Sequence, residues 1–315
     1  MTTTAEALLL QHPTNAVHNT LSYTASDKVW ARAYKVIKNT KSHTVVRDGI
    51  THASFDDAFL PPLADDALRM RQPAVPPNNR HWRLETEADC ENWFNTEIVN
   101  VVLSAWHAYP PITQTSHTKP LRDVNISENI DMTFSIKVGS RRYTMAIGEI
   151  KRNLLEPAVW QNGRVATAAS QAKLSQELRG YAHKYQCPQV FCFDGATLVL
   201  LQFRARTVEE LKDENCPVDC WTIPTENTAC SLRYGLYRLL AQGWRRCQGE
   251  MVPSFSVGGL VPYREYFSGQ PLWHYEGTYY REHPLGYTRS ADPVSGALKW
   301  TYGRYEEFET GACWE

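Results

Sequence analysis

The chain has 315 residues, 43% of them apolar and 21% charged, with a formal net charge of −1 and eight cysteines. That length supports one large core or two domains. The near-neutral balance excludes a wholly basic nucleic-acid-coating protein, and the cysteines are too sparse for a disulfide framework. No stretch approaches the roughly 18 consecutive apolar residues of a membrane span. Met1–Leu10 lacks the basic start and long apolar run of a secretory signal. The expectation is an intracellular protein, cytoplasmic or nuclear, with reduced thiols and no membrane partner.

Residues 1–80 read as an N-terminal helical extension. A helix is predicted from about Lys28 to Lys38, after a capping Ser26 or Asp27. Leu60-Pro-Pro-Leu63 and Gln72-Pro-Ala-Val-Pro-Pro-Asn-Asn79 then break regular structure and form a linker ending near residue 80. Residues 87–108 carry Trp93, Ile98, Val101, Val102, Ala105 and Trp106 at helical spacing. Asn129–Val138 and Tyr143–Lys151 both alternate apolar and polar residues across a Gly139-Ser140 turn, the pattern of a β-hairpin. A helix follows over about Ala166–Tyr185, with Leu174, Leu178, Tyr181 and Tyr185 on its apolar stripe. Gln189–Phe193 and Ala196–Phe203 flank Asp194-Gly195, a second hairpin. A long helix is predicted over about Glu226–Cys247, capped by Thr225. The order helix, hairpin, helix, hairpin, helix predicts an α/β domain over 81–250, a mixed β-sheet flanked by helices. Residues 251–315 are rich in Tyr and Trp and read as short strands and loops whose aromatics pack on the core. The interleaved Arg264, Arg281, Arg289 and Arg304 leave base stacking as the alternative use of those rings.

Charge is unevenly spread. Residues 131–206 hold 11 Lys/Arg against 5 Asp/Glu, whereas residues 253–315 hold 5 against 8. A phosphate-binding face in the middle segment fits that asymmetry.

The first hairpin concentrates the chemistry. With its turn at Gly139-Ser140, antiparallel partners carry numbers adding to about 279–281, so Asp131 meets Glu149 within one position. Alternation places Glu149 and Lys151 on one face, and a sum of 280 adds Asp131 to it. Two neighbouring carboxylates repel unless a cation sits between them. Hard oxygen ligands suit Mg2+ or Mn2+, and a lysine beside such an ion can hold an attacking water. The plainer reading is a cross-strand salt bridge worth about 0–1 kcal/mol.

Asp131 followed by Gly148-Glu149-Ile150-Lys151 on the next strand resembles the PD-(D/E)XK nuclease superfamily. Gln176-Glu-Leu-Arg-Gly-Tyr-Ala182 and Cys187-Pro-Gln-Val-Phe-Cys-Phe-Asp-Gly195 resemble its fungal members, and the likeness covers about residues 86–205. It implies a restriction-endonuclease-like sheet and divalent-metal-dependent hydrolysis of phosphodiesters, in DNA rather than RNA. By that resemblance Asp131, Glu149 and the Ile150 carbonyl hold Mg2+ or Mn2+, and Lys151 orients the water. Glu97 supplies the family's additional acidic residue, since Trp93, Glu97 and Val101 share a face at i, i+4, i+8; Glu91 is the alternative. Where some relatives place Gln four residues before Tyr, Glu177 stands here. Gln176 is therefore taken as the helix's contribution, with Gln171 as the other choice. Arg152 and Arg179 are expected to contact phosphate. The signature's proline is missing, because Ile130 precedes Asp131.

Two rival readings fit the same residues. One is a nuclease-like fold that binds nucleic acid or protein without cutting, and the other is an enzyme using the acid–base cluster on a small molecule. Cys216-Pro-Val-Asp-Cys220 has no second Cys/His pair nearby and reads as a loop rather than a zinc site. A Gly-rich nucleotide loop and a Gly-X-Ser-X-Gly elbow are both lacking.

Overall fold

The computed structural model describes residues 3–120, 126 and 128–312. Its first 80 residues are woven into the rest of the molecule. Helix α1 (Ala5–Leu9) buries Leu8 and Leu9 in the main core. Strand β1 (Ala16–Asn19) pairs in parallel with a strand beyond residue 80, described below. The helix expected over Lys28–Lys38 is only a 3-10 turn, Val29–Ala33. Tertiary bonds displace the helical ladder after it: Ile37 N–H donates to Ser175 Oγ at 3.2 Å, and the Tyr34 carbonyl accepts from Gln176 Nε2 at 2.8 Å. Strand β2 (Thr40–Ser42) joins the central sheet at one edge. Strands β3 (Thr44–Arg47) and β4 (Ile50–Ala53) form a hairpin over Asp48-Gly49, both residues at positive φ. Helix α2 (Ala64–Met70) follows the first proline pair, and β5 (His81–Leu84) is the partner of β1.

Helix α3 (Glu87–Trp93) starts on a capping box made by Thr86 and Asp89. It continues through a π turn at Phe94–Val99 into α4 (Asn100–Ala105). Strands β6 (Ile112–Thr118), β7 (Ile130–Val138) and β8 (Arg141–Ile150) run antiparallel. Short α5 (Pro157–Gln161) and long α6 (Ala169–Lys184) then carry the chain over the sheet to β9 (Gln189–Phe193), which lies parallel to β8. The Asp194-Gly195 turn leads into β10 (Thr197–Phe203), with Gly195 at φ 92 and Asp194 Oδ1 accepting from the Ala196 and Thr197 amides. Strand β11 (Val218–Pro224) includes Cys220, so half of the expected cysteine loop is sheet.

The last long helix, α7 (Leu232–Met251), starts six residues later than expected, at a Ser231 cap. The preceding residues spend their backbone groups elsewhere: Asn227 O accepts from Thr51 N and Ala229 N donates to Thr51 O. The seven strands lie in the order β2-β11-β10-β9-β8-β7-β6. Alternation sorts their side chains to two faces. Phe134, Phe191, Phe193, Leu198 and Trp221 pack with the α3–α4 helix and α7. Ile147, Val190, Cys192, Val199 and Leu201 pack with Leu174, Leu178 and Tyr181 of α6. The result is a mixed α/β architecture, a mixed sheet with helices on both sides.

The C-terminal aromatics build their own small core. Strands β12 (Tyr263–Arg264), β13 (Pro271–Tyr275) and β14 (Thr278–Tyr280) form one sheet. Strands β15 (Thr288–Ala291), β16 (Leu298–Tyr302) and β17 (Tyr305–Phe308) form another. Val257, Trp273 and Trp300 fill the space between them. Buried Glu309 ties the strands together, taking bonds from Arg264 (2.7 Å), Arg289 (2.6 Å) and Trp300 Nε1 (2.8 Å). Gln189 Nε2 to the Phe267 carbonyl, 2.7 Å, fastens this segment to β9. Among the described residues all seven cysteines are free thiols, and no helix is long and apolar enough to cross a membrane.

Candidate active site

The hairpin leaves its turn with partner numbers adding to 279 and, after a bulge at Phe134/Ser135, reaches Met132–Gly148 at a sum of 280, within the range its sequence predicts. Gly148 is required there, because a Cβ would stand 1.9 Å from the Phe191 ring. One residue further on, a side chain takes over from the ladder: Ile150 N–H donates to Asp131 Oδ2 at 2.6 Å. The Lys151 backbone remains in the sheet, its N–H donating to Phe193 O at 2.9 Å. Its ammonium turns back and donates to Glu149 Oε1, and it lies 3.3 Å from Glu177 Oε1 of α6. The other Glu177 oxygen accepts from Ser26 Oγ, brought in by the N-terminal segment. Glu149, Lys151 and Glu177 are 2, 3 and 0% exposed. Glu149 Oε2 is buried with no hydrogen-bond partner.

The cluster opens to solvent on the side of β6. His117 faces Asp131 across the β6–β7 pair, in left-handed backbone at φ 50. Its Nδ1 lies 3.5 Å from Asp131 Oδ1 and its Nε2 lies 3.2 Å from Glu91 Oε2. Its side chain is 60% exposed.

Three carboxylates therefore share one ammonium. Burial pushes the Asp131 carboxyl up to about 6, against the pull of the Ile150 N–H and Lys151. Burial also raises Glu149 well above its ordinary value, and the neighbouring Asp131 and Glu177 charges add to the effect. Burial alone would lower Lys151, but Glu149 and Glu177 outweigh it and hold the ammonium above its ordinary value. Lys151 is thus held as a cation by its two carboxylate partners.

Asp131, Glu149, Ile150 and Lys151 come together at this elbow. Four other expected residues do not. Glu97 is buried among Asn15 (2.7 Å), Trp82 Nε1 (2.8 Å) and Arg233 (3.9 Å), none of which belongs to the cluster. The π turn is the physical reason: Asn100 N–H reaches back to Asn95 O, five residues, so the i, i+4, i+8 alignment with Trp93 and Val101 fails. The α3 side chain that reaches the mouth is Glu91. Gln176 holds the Tyr34 carbonyl, and Gln171 holds Leu154 O (2.8 Å) and accepts from Trp160 Nε1 (2.7 Å). Glu177 takes the helix's place in the cluster. The signal was its spacing of four from Tyr181, and a preference for glutamine concealed it.

Both arginines expected on phosphate are buried. The Arg152 guanidinium donates to Asn19 Oδ1, Thr20 O and Leu84 O, clasping β1 and β5 to the end of β8. Arg179 donates through Nη1 to the carbonyls of Leu211 and Asp213, while its Nε and Nη2 are buried without a hydrogen-bond partner.

The resemblance implies Mg2+ or Mn2+. Among the described residues no three His, Cys, Asp or Glu side chains form a ready-made metal cage. The donor chemistry nevertheless fits an ion that retains much of its water. Asp131 and Glu149 offer hard oxygens, Glu149 Oε2 has no partner, and the cluster is short of positive charge. Comparison of the chain with family models, curated proteins and solved structures returned no match, so any functional reading stands on this geometry.

Proposed function

We propose that the chain is a divalent-metal-dependent phosphodiesterase acting on nucleic acid, DNA rather than RNA, on a restriction-endonuclease-like sheet. One observation carries the reading: an acid-rich, buried cluster with a single lysine and a partnerless carboxylate oxygen sits at the end of the central hairpin. Such unpaired demand for positive charge is what a cation site needs before it is filled. Asp131 and Glu149 would hold the ion, with the neighbouring Ile150 carbonyl and waters. A bound divalent ion supplies a water of lowered pKa and offsets the phosphate's charge. Lys151, kept protonated, would orient that water and favour the charge that builds up on the phosphoryl oxygens. Glu177, itself held by Ser26, positions the lysine.

The metal provides the test. An ion bound only by the folded site stabilises it by about 1.4 kcal/mol at ten times Kd. For a chain this long, that raises Tm by roughly 2–4 °C or less. The wild type should show this Mn2+ shift and should cut labelled DNA, and Asp131→Ala should lose both. An equal shift in the two proteins would put the ion elsewhere. No shift in either would favour the second reading, a nuclease-like fold that binds without cutting. What speaks for that reading is the burial of Arg152 and Arg179, neither of which reaches the surface.

A further inference from the structure

We propose that a groove beside the tip of the central hairpin holds the phosphates of a single-stranded polynucleotide. The groove encloses about 530 Å3 between the start of β8, the C-terminal ends of α6 and α7, and the first residues of the C-terminal segment. That lies in the range of pockets built for ligands of one to a few rings, roughly 300–1,000 Å3. Its lining carries four cations, Arg141, Arg142, Lys184 and Arg246, against one carboxylate, Glu250. Arg246 forms the floor, paired with Glu250 and donating to the Thr144 carbonyl. Lys184 is paired with Glu128 at 2.8 Å. Arg141 and Arg142 are exposed and have no ion pair among the described residues, so two full positive charges remain for a ligand.

The position of the groove selects the ligand. Tyr185 lines it, and the same hydroxyl accepts the Ile130 N–H at 2.9 Å and donates to Thr118 O. These two residues adjoin Asp131 and His117, so the groove and the acid cluster share a wall. A strand cleaved at the cluster would run its next phosphates past Tyr185 toward Arg141 and Arg142. A volume of about 530 Å3 is on the scale of one to a few rings, which suits unpaired nucleotides of a single strand. The inference rests on the phosphodiesterase reading for the polymer's identity, but binding in the groove needs no cleavage.

The test is binding without metal. Fluorescence anisotropy of a labelled 20-nucleotide single strand is measured in EDTA over a range of salt, for wild type and for Arg141→Glu/Arg142→Glu. Loss of two phosphate contacts should weaken binding about tenfold at low salt. It should flatten the log–log salt slope by about 1.4, at about 0.7 per phosphate on a single strand. A variant of equal charge change on other surfaces, Arg47→Glu/Arg71→Glu, should bind as wild type does. Equal weakening in both variants, or an unchanged slope in the first, overturns the proposal. Displacement of the strand by inorganic phosphate or a nucleoside monophosphate at matching phosphate concentration also overturns it, because the groove would then be a small-anion pocket. Metal-free binding that depends on Arg141 and Arg142, without any cleavage when Mn2+ is added, would uphold the groove and defeat the phosphodiesterase.

Discussion

Two buried ionic clusters occupy this molecule, and they differ in what they leave unsatisfied. Beneath α2, Asp65 and Asp66 meet Arg69 and Arg245, two acids and two bases. Asp65 Oδ2 accepts from both arginines at 2.9 Å, while Asp66 accepts from Arg69 (2.6 Å), Arg245 (3.0 Å) and Tyr237 (2.8 Å). Burial alone would raise both carboxyls, but the arginines outweigh it and hold them below the usual carboxylate range. At the hairpin's end, three carboxylates share Lys151, burial prevails, and Asp131 and Glu149 are pushed up. A balanced, fully bonded cluster is complete and serves the fold. An acid-rich one with an orphan oxygen is left short of positive charge, and for that reason we propose it as the place for chemistry.

The largest expected effect separates the two clusters directly. Arg245→Met leaves two buried carboxylates with Arg69 as their one remaining cation and should cost about 3–5 kcal/mol in urea unfolding. Lys151→Met should cost clearly less, because Glu149 can take up a proton, yet it should lower cleavage by at least about a hundredfold. A Lys151→Met protein as destabilised as Arg245→Met would make the hairpin cluster structural.

Titration sharpens the same contrast. The folded Asp131 value of about 6 lies above its unfolded 3.8. In the absence of metal its contribution is therefore neutral below pH 3.8 and grows unfavourable as pH rises to 6, reaching on the order of 3 kcal/mol. Asp66, depressed in the fold, works in the opposite sense: its contribution is present above pH 3.8 and is lost as pH falls. Asp131→Asn should lessen the decline between pH 4 and 6, with Glu149 carrying the rest, and leave the acid limb in place. An undiminished decline would take Asp131 out of it.

The smallest effect concerns Glu97. Glu97→Gln should weaken the Asn15, Trp82 and Arg233 contacts by about 1–2 kcal/mol, while the Mn2+-dependent rise in Tm stays that of wild type. A loss of that rise would tie Glu97 to the ion.

What could be read from the sequence follows the range of the forces involved. The hairpin register was legible to within one residue because alternation and turn position are local, and the bulge at Phe134/Ser135 is what brings Asp131 onto the face of Glu149. The π turn that redirects Glu97 has no local signature, since it arises where the helix lies against the sheet. Arg152 and Arg179 looked like phosphate ligands because charge is visible in a sequence, whereas the burial that removes them from the surface depends on residues as distant as 20, 84, 211 and 213. Strands β6 and β11 were hidden for a related reason. Thr113–Thr118 is polar throughout and Val218–Ile223 is flanked by Pro217 and Pro224, so only their neighbours in the sheet make them strands.

Ser26 and Glu177 stand 151 residues apart in sequence. At ribosomal speeds of about 5–20 residues per second, the serine waits roughly 8–30 s before its partner is made. Over the same interval Thr20 and Thr24 wait for Arg152. The segment that finally seals the acid cluster is thus synthesised well before the residues it contacts and finds its place only after them. The hairpin, by contrast, closes over a two-residue turn within microseconds of its completion. Lys151 and Glu149 are therefore wet before they are buried, and a cation can reach the cluster while the molecule is still being made.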